Sequence, residues 1–325
     1  MPIVRRNEPI SSWEDGDFIQ GFVLLSRKEP RFDRNGREYL DLELCDATAA
    51  VAARIWPDNP SVNGDFKEKD FLALKGTVRL YREQPQVIID FCRRATDDDR
   101  AQGFDEGLLV PSTPEDIDDL WRRLTDIYPG QLSRPSLRQL AEEAQRRFGD
   151  RLRVHPAAKN IHHAYRGGLL EHVVTMAELA LEVAAKYPEL DRDLLLLGVY
   201  FHDLGKLREL GAMPNNDYTL EGQLIGHITI GAEMLQECAA AVDDLPPELL
   251  LHLRHLVLSH HGRREFGSPI EPATVEAFAL HHLDNLDSKL LQLRQQSRSG
   301  AEGLQYVRAL GRAVYFDRPE SAEAD

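Results

Sequence analysis

The chain has 325 residues, 42% hydrophobic and 29% charged, an ordinary balance for a soluble protein and length enough for two domains rather than one. Its longest apolar run, residues 194–201, is far too short to cross a bilayer, and the opening MPIVRRNEPI lacks the apolar stretch of a signal peptide. Three scattered cysteines offer neither a disulfide framework nor a CxxC zinc site, and a net charge of −15 excludes coating of nucleic acid by bulk attraction. A cytoplasmic setting with no membrane partner is the expectation.

Residues 1–93 hold 14 basic and 16 acidic side chains, net −2, so most of the acidity lies further on. Segments 18–26, 38–45, 51–56, 71–81 and 86–91 are rich in β-formers, with partial alternation in YLDLELC and QVIID. Turn chemistry at 33–36, 57–64 and 82–85 separates them. This pattern predicts a small β-barrel of OB type. Arg27, Lys28, Arg31, Arg34 and Arg37 would fall in the loop between its first two strands, a usual ligand-contacting loop. Arg31, Arg34 and Arg37 are the candidate phosphate contacts; the alternative is a solvated basic loop. Phe22, Phe32, Tyr39, Trp56 and Tyr81 are candidates for stacking on bases, against a role in the barrel core.

Residues 94–112, polar and acidic with two glycines and a proline, read as a linker. A helical pattern follows at 113–128, with Thr113 as N-cap and Pro114 at N1. Further helices are predicted at 135–148, 169–186, 191–207, 221–241, 246–261 and 272–296, with a short last one at 306–314 and a disordered tail at 318–325. The expected organisation is therefore a barrel domain (1–93), a linker (94–112) and an all-α domain (113–317).

Seven of the twelve histidines fall in His-His pairs or an HD dipeptide, all in the helical half. His172 borders the stripe Leu169, Val173, Met176, Ala177, Ala180. His202 and Lys206 continue the stripe of Leu195 and Val199, with Asp203 beside them. His260 continues Leu249, Leu253, Leu256 and Val257, and His261 adjoins it, whereas His252 and His255 fall at the edge or outside. Asp284 and Asp287 share a face with Ala273, Ala277, Leu280 and Leu291, and His227 sits one turn from Leu224. A lone inward histidine is usually a satisfied core residue. Inward histidines and carboxylates recurring on five helices need a common partner, most simply a cation. Imidazole and carboxylate donors without cysteine favour borderline first-row ions.

The ordered motifs GGLLEH (167–172), HDLGK (202–206), GH (226–227), SHHG (259–262) and LDNLDSK (283–289) resemble the signatures of the HD phosphohydrolase superfamily. With HHAYRGG (162–168) and the OB-like segment, the whole resembles the YhaM family of OB-plus-HD 3′→5′ exoribonucleases, over roughly residues 12–315. The resemblance implies two divalent first-row ions, Mn²⁺ first, with Fe, Ni, Co or Zn as alternatives. His172, His202, Asp203 and Asp284 would hold the first; His227, His260 and His261 would hold or flank the second, with Asp203 bridging. Lys206 would act with Asp203 in catalysis, by holding a non-bridging phosphate oxygen or stabilising the transition state. Asp287 would either support a histidine ligand or join a salt bridge, and His163 and Arg166 would either contact substrate phosphate or be ordinary loop residues. The implied partner is single-stranded RNA, with single-stranded DNA as a second substrate, and a homo-oligomer is compatible with it. Two other readings compete: an HD hydrolase of small nucleotides, and a nucleic-acid-binding regulator whose HD site is inactive.

Overall fold

The structure, a computed structural model, describes residues 3–82, 84–159, 165–298 and 300–317. The chain divides into two compact units, residues 1–112 with 213–215, and residues 113–212 with 216–325. The expected disordered tail, 318–325, lies outside the described residues.

The first unit is a closed barrel built from β2 (Phe18–Phe32), β3 (Glu38–Cys45), β4 (Ala50–Ile55), β5 (Phe71–Tyr81) and β6 (Gln84–Arg94), preceded by a short β1 (Val4–Arg6). Its order is β2-β3-β4-β6-β5, closed by β5 against β2; the β4–β6 pair is parallel and the others antiparallel. This is the OB topology. Closure depends on the length of β2. Its first half, Phe18 to Leu24, pairs with β5, and its second half pairs with β3 across an irregularity at Leu25/Arg27. Period-two patterning fills the interior with Ile19, Val23 and Leu25, then Leu40, Leu42 and Leu44, and Val51, Ala53 and Ile55.

Two expectations change here. Strand β2 runs to Phe32, so Arg27, Lys28 and Arg31 stand on a strand and only Arg34 and Arg37 lie in the turn. Residues 94–112 belong to the barrel unit and form 3₁₀ turns at Asp97–Gln102 and Glu106–Leu108. They are held by Asp99, which accepts from both Arg93 guanidinium nitrogens (2.6 and 2.7 Å), and by Phe104, packed 5.3 Å from Phe22 and 5.6 Å from Phe71.

The second unit is helical: α1 (Ile117–Ile127), α2 (Pro135–Val154), α3 (Gly168–Lys186), α4 (Arg192–Phe201), α5 (Lys206–Glu209), α6 (Leu220–Ile225), α7 (His227–Ala239), α8 (Pro247–Ser259) and α9 (Val275–Arg298). A single core runs through them. Helix α4 is its axis, every residue from Asp193 to Phe201 being buried, which is why the run LLLLGVYF shows no amphipathic period.

Several boundaries depart from the sequence reading; α2, for one, runs on to Val154 rather than ending at 148. Helix α1 starts at Ile117 because the Asp116 carboxylate, not Thr113, caps it by accepting from Asp119 N at 2.9 Å. The predicted helix 191–207 breaks into α4, a turn and α5. The predicted helix 221–241 is split at Gly226, whose φ of 80° lies outside helical space. Residues 306–314 form no α-helix: β7 (Gly303–Val307) and β8 (Arg312–Phe316) make a hairpin joined by a 3₁₀ turn at Arg308–Leu310 and Gly311. The β-forming VYF run and the left-handed glycine override the weak helical pattern. Cys45, Cys92 and Cys238 are all free thiols. No helix of the described residues is long and apolar enough to cross a membrane.

Candidate metal centre

Helices α4 and α8 each end in a histidine of the cluster. His202 caps the C-terminus of α4 and His260 that of α8, and each ring donates Nδ1–H to the carbonyl three residues back, Val199 O and Val257 O, both at 2.7 Å. Those carbonyls have no onward helical partner, so the imidazole satisfies them. A carbonyl can only accept, which fixes the hydrogen on Nδ1 and leaves the Nε2 lone pair facing inward.

The same arrangement recurs at three more rings. His261 bonds Phe266 O through Nδ1 (2.8 Å), His172 bonds Asp287 Oδ2 (2.7 Å) and His227 bonds Glu209 Oε1 (3.0 Å). Around Asp203, the Nε2 atoms of His172 and His202 lie 3.6 and 3.5 Å from Oδ2, and those of His227 and His260 lie 3.5 and 3.7 Å from Oδ1. Asp284 Oδ1 approaches His172 Nε2 at 3.5 Å. Two donor groups result: His172, His202 and Asp203, and His227, His260 and His261, the atoms within each lying within 4.8 Å of one another.

This geometry fits a cation. The His172 and His202 Nε2 atoms face each other at 3.1 Å, and Asp203 Oδ1, His227 Nε2 and His260 Nε2 are buried without a hydrogen-bond partner. Unsatisfied buried polar atoms are costly one by one, and here three converge. The C-termini of α4 and α8 add their negative dipole ends. The donor set, nitrogen and oxygen without sulfur, suits borderline divalent ions.

Charge on the side chains follows the same logic. Burial opposes ionisation of Asp203, yet Lys206 (Nζ to Oδ2, 2.5 Å) and His202 hold its carboxyl well below the usual range. Burial opposes protonation of His202, but the Asp203 charge prevails and raises its pKa. Burial, with the neighbouring His202 and His261, keeps His260 neutral well below the ordinary imidazole value.

The structure thus gathers His172, His202, Asp203, Lys206, His227, His260, His261, Asp284 and Asp287. Among the described residues no contact links Arg166 to this cluster; its carbonyl accepts from Thr113 N at 2.9 Å. His163 lies outside the described residues. His252 and His255 face other neighbours: His252 Nε2 lies 3.2 Å from a Glu276 carboxylate oxygen, and His255 Nε2 accepts from Ala273 N at 2.9 Å.

Two residues escaped the sequence reading. Glu209 orients His227 through both its ring and its backbone N–H. Gly205 lets this happen: a Cβ there would lie 2.0 Å from His227 O, so only glycine allows the α4–α5 turn against the start of α7. His281, one turn before Asp284 on α9, donates Nδ1–H to His260 O at 2.9 Å. Its ring rests on Gly262, where a Cβ would fall 2.3 Å away, and so clasps the turn carrying His260 and His261. Removing this clasp in His281→Leu should weaken Mn²⁺ binding about 10–100-fold, the usual cost of losing a residue that orients a ligand. His281→Asn, which keeps an N–H donor, should recover most of it. Calorimetric titration reads both, and equal affinity in wild type and His281→Leu would refute the role.

On the barrel, Tyr39 and Trp56 stack 5.2 Å apart, and the Arg54 guanidinium lies 5.7 Å over Trp56 and 5.3 Å over Tyr81. Phe32 is exposed, and Phe22 is partly covered by Phe104. Arg31 is paired with Glu29 (2.9 Å) and Asp41 (3.1 Å), and Arg37 with Asp33 (3.1 Å) and Asp58 (2.9 Å), while Arg34 projects from the turn.

Residues 169–289 match the family model described as HD domain, less than half of the chain, and residues 105–188 match the TraI_2 model, whose description names a helicase. The helical unit therefore holds an HD domain, which indicates a metal-dependent phosphohydrolase. Among solved structures, the p204 HINb domain is 16% identical with a TM-score of 0.24, over 27% of this chain and 47% of that chain, so the match spans about half of its length. The second OB-fold domain of replication protein A from Methanococcus maripaludis is 17% identical with a TM-score of 0.23, over 29% of this chain and 97% of that chain. The protein PriB from Ralstonia solanacearum is 14% identical with a TM-score of 0.22, over 24% and 97%.

Proposed function

We propose that the chain is a metal-dependent 3′→5′ exonuclease that shortens single-stranded RNA, with single-stranded DNA as a second substrate, by hydrolysing phosphodiester bonds. The observation that carries the chemistry is the convergence of histidine Nε2 atoms on both oxygens of Asp203. In this reading His172, His202, Asp203 and Asp284 would hold one ion and His227, His260 and His261 the other, with Asp203 available to both and Mn²⁺ the first choice. Ions bound there would supply Lewis acidity and bring the pKa of water down towards roughly 7.

The chain's own residues do the rest. Lys206, one-fifth exposed beside the nearly inaccessible Asp203, offers a fixed ammonium to a non-bridging phosphate oxygen. Asp287 and Glu209 keep hydrogen on the Nδ1 atoms of His172 and His227 and so hold both rings in register. Arg166 and His163 would meet substrate phosphate. The Tyr39, Trp56 and Arg54 surface, with Arg31, Arg34 and Arg37 at the adjoining hairpin, would hold the strand by stacking and charge. A cytoplasmic homo-oligomer is compatible with this activity.

A 5′-labelled single-stranded RNA incubated with Mn²⁺-loaded protein should give a ladder of products one nucleotide apart, stalling at the base of a stable hairpin. A circular RNA of the same sequence should stay intact. Internal fragments from the circle would show endonuclease action and refute the reading. Cleavage confined to free nucleotides would favour a small-molecule hydrolase instead, and binding without cleavage a regulator.

A further inference from the structure

Away from the Tyr39–Trp56 surface, the barrel carries a cleft of about 520 Å³ on the face formed by β1, β2, β5 and β6. Sheet register builds it. Arg6, Gln20, Lys75 and Phe91 lie opposite one another in a single row across the four strands. In the next row Phe22, Ala73 and Arg93 lie opposite one another across β2, β5 and β6. Ala73, the smallest side chain in either row, leaves the space between them, and Leu74 behind it is buried in the barrel core. The cleft is therefore a gap in an outward-facing sheet surface and not part of the interior.

Its chemistry is one-sided. Arg93 is fixed by two bonds to the buried Asp99, whose oxygens it occupies. Arg6 and Lys75 are exposed, and among the described residues neither has an ion-pair partner. Phe91, 45% exposed, stands directly beside Lys75 and presents an apolar ring to solvent. Two unpaired cations concentrated on one face of a segment whose net charge is −2 make a local positive field that composition alone would not produce. An aromatic face next to such cations matches a ligand with a flat ring and a phosphate, because the ring stacks while the phosphate meets the charges. The volume is of the size that small ligands occupy.

We propose that this cleft binds a nucleotide unit, its phosphate at Arg6 and Lys75 and its base against Phe91, at a site separate from both the metal centre and the Tyr39–Trp56 surface. The unit has two sources, a free nucleoside monophosphate or one residue of a passing strand, and the same experiment separates them. Full-length protein, stripped of metal by chelation so that nothing is hydrolysed, is titrated with 5′-AMP in one arm and with an eight-nucleotide single-stranded RNA in the other. The double variant Arg6→Glu, Lys75→Glu should bind at least about tenfold more weakly and with a shallower salt dependence in one arm or both. Loss in the AMP arm identifies a free nucleotide as the ligand; loss in the RNA arm alone identifies a strand. Ala73→Trp, which fills the cleft without changing charge, should reproduce the loss. Unchanged binding in both arms overturns the proposal, as does a loss that Ala73→Trp fails to reproduce, since that loss would come from overall charge. Hydrolysis of bis(4-nitrophenyl) phosphate by the metal-loaded wild type reports the helical unit separately. Its absence would remove the proposed nuclease activity and leave the cleft standing.

Discussion

Replacing Asp203 should abolish turnover and empty the metal centre in one step. Four imidazole Nε2 atoms, two from each donor group, lie within 3.7 Å of its two oxygens, so this one carboxylate faces both groups. Removing a residue that only orients a ligand costs about 10–100-fold in metal affinity or activity. Losing the shared carboxylate should exceed that range for both ions. Asp203→Asn is the sharper variant than Asp203→Ala, because it keeps the volume and removes only the charge. Elemental analysis should find up to two first-row ions per wild-type chain and few or none in the variant. Thermal unfolding supplies an independent readout: bound metal stabilises the native state by mass action, so chelation should lower the wild-type midpoint and leave the variant's unchanged. Full metal content with undiminished hydrolysis in Asp203→Asn would sink the assignment.

How much of this was legible in the sequence depended on the kind of signal. His202, His260 and Asp284 continue apolar stripes at helical spacing and His172 borders one, and such stripes must face a core, so their convergence followed from periodicity. His252 fell at the edge of the α8 stripe and His255 outside it, and each faces a neighbouring segment instead. Period-two alternation likewise exposed the barrel strands, because alternate side chains must point inward. What failed was whatever depends on a contact between distant segments. Glu209 lies beyond the helix predicted at 191–207, where no stripe marks it; its role exists only because the chain breaks at Gly205 and returns through Gly226 to bring His227 alongside. His281 carries no signal of its own, being half of a third His-His pair beside Leu280, and its partner is a backbone carbonyl that no pattern reveals. The 94–112 segment misled by composition. Its aspartates suggested solvent, yet Asp99 is buried by pairing with Arg93, and Phe104 anchors the run on the barrel.

Lys206 is where the proposed chemistry can be separated from metal binding. Burial works against its charge, but the Asp203 carboxylate outweighs this and raises its pKa, so it remains an ammonium throughout the working range. Lys206→Met keeps the length and packing of the stem and removes only the charge. If the ammonium stabilises charge developing on the phosphate, kcat should fall about 10²–10³-fold, or roughly 2.7–4 kcal/mol, with KM for RNA nearly unchanged. Metal content should hold or increase, because Lys206 and the ions compete for the same Asp203 oxygens. The metal-free variant should show the opposite cost. A lysine whose pKa is raised on folding stabilises the native state below its unfolded value, near 10.5, and loses that contribution as pH rises through the folded value. Metal-free Lys206→Met should therefore melt below metal-free wild type at neutral pH, with the gap closing only at strongly alkaline pH. A rise in KM with kcat intact would make Lys206 a binding residue. A loss of metal would make it a support for Asp203, and either result would remove it from the chemical step.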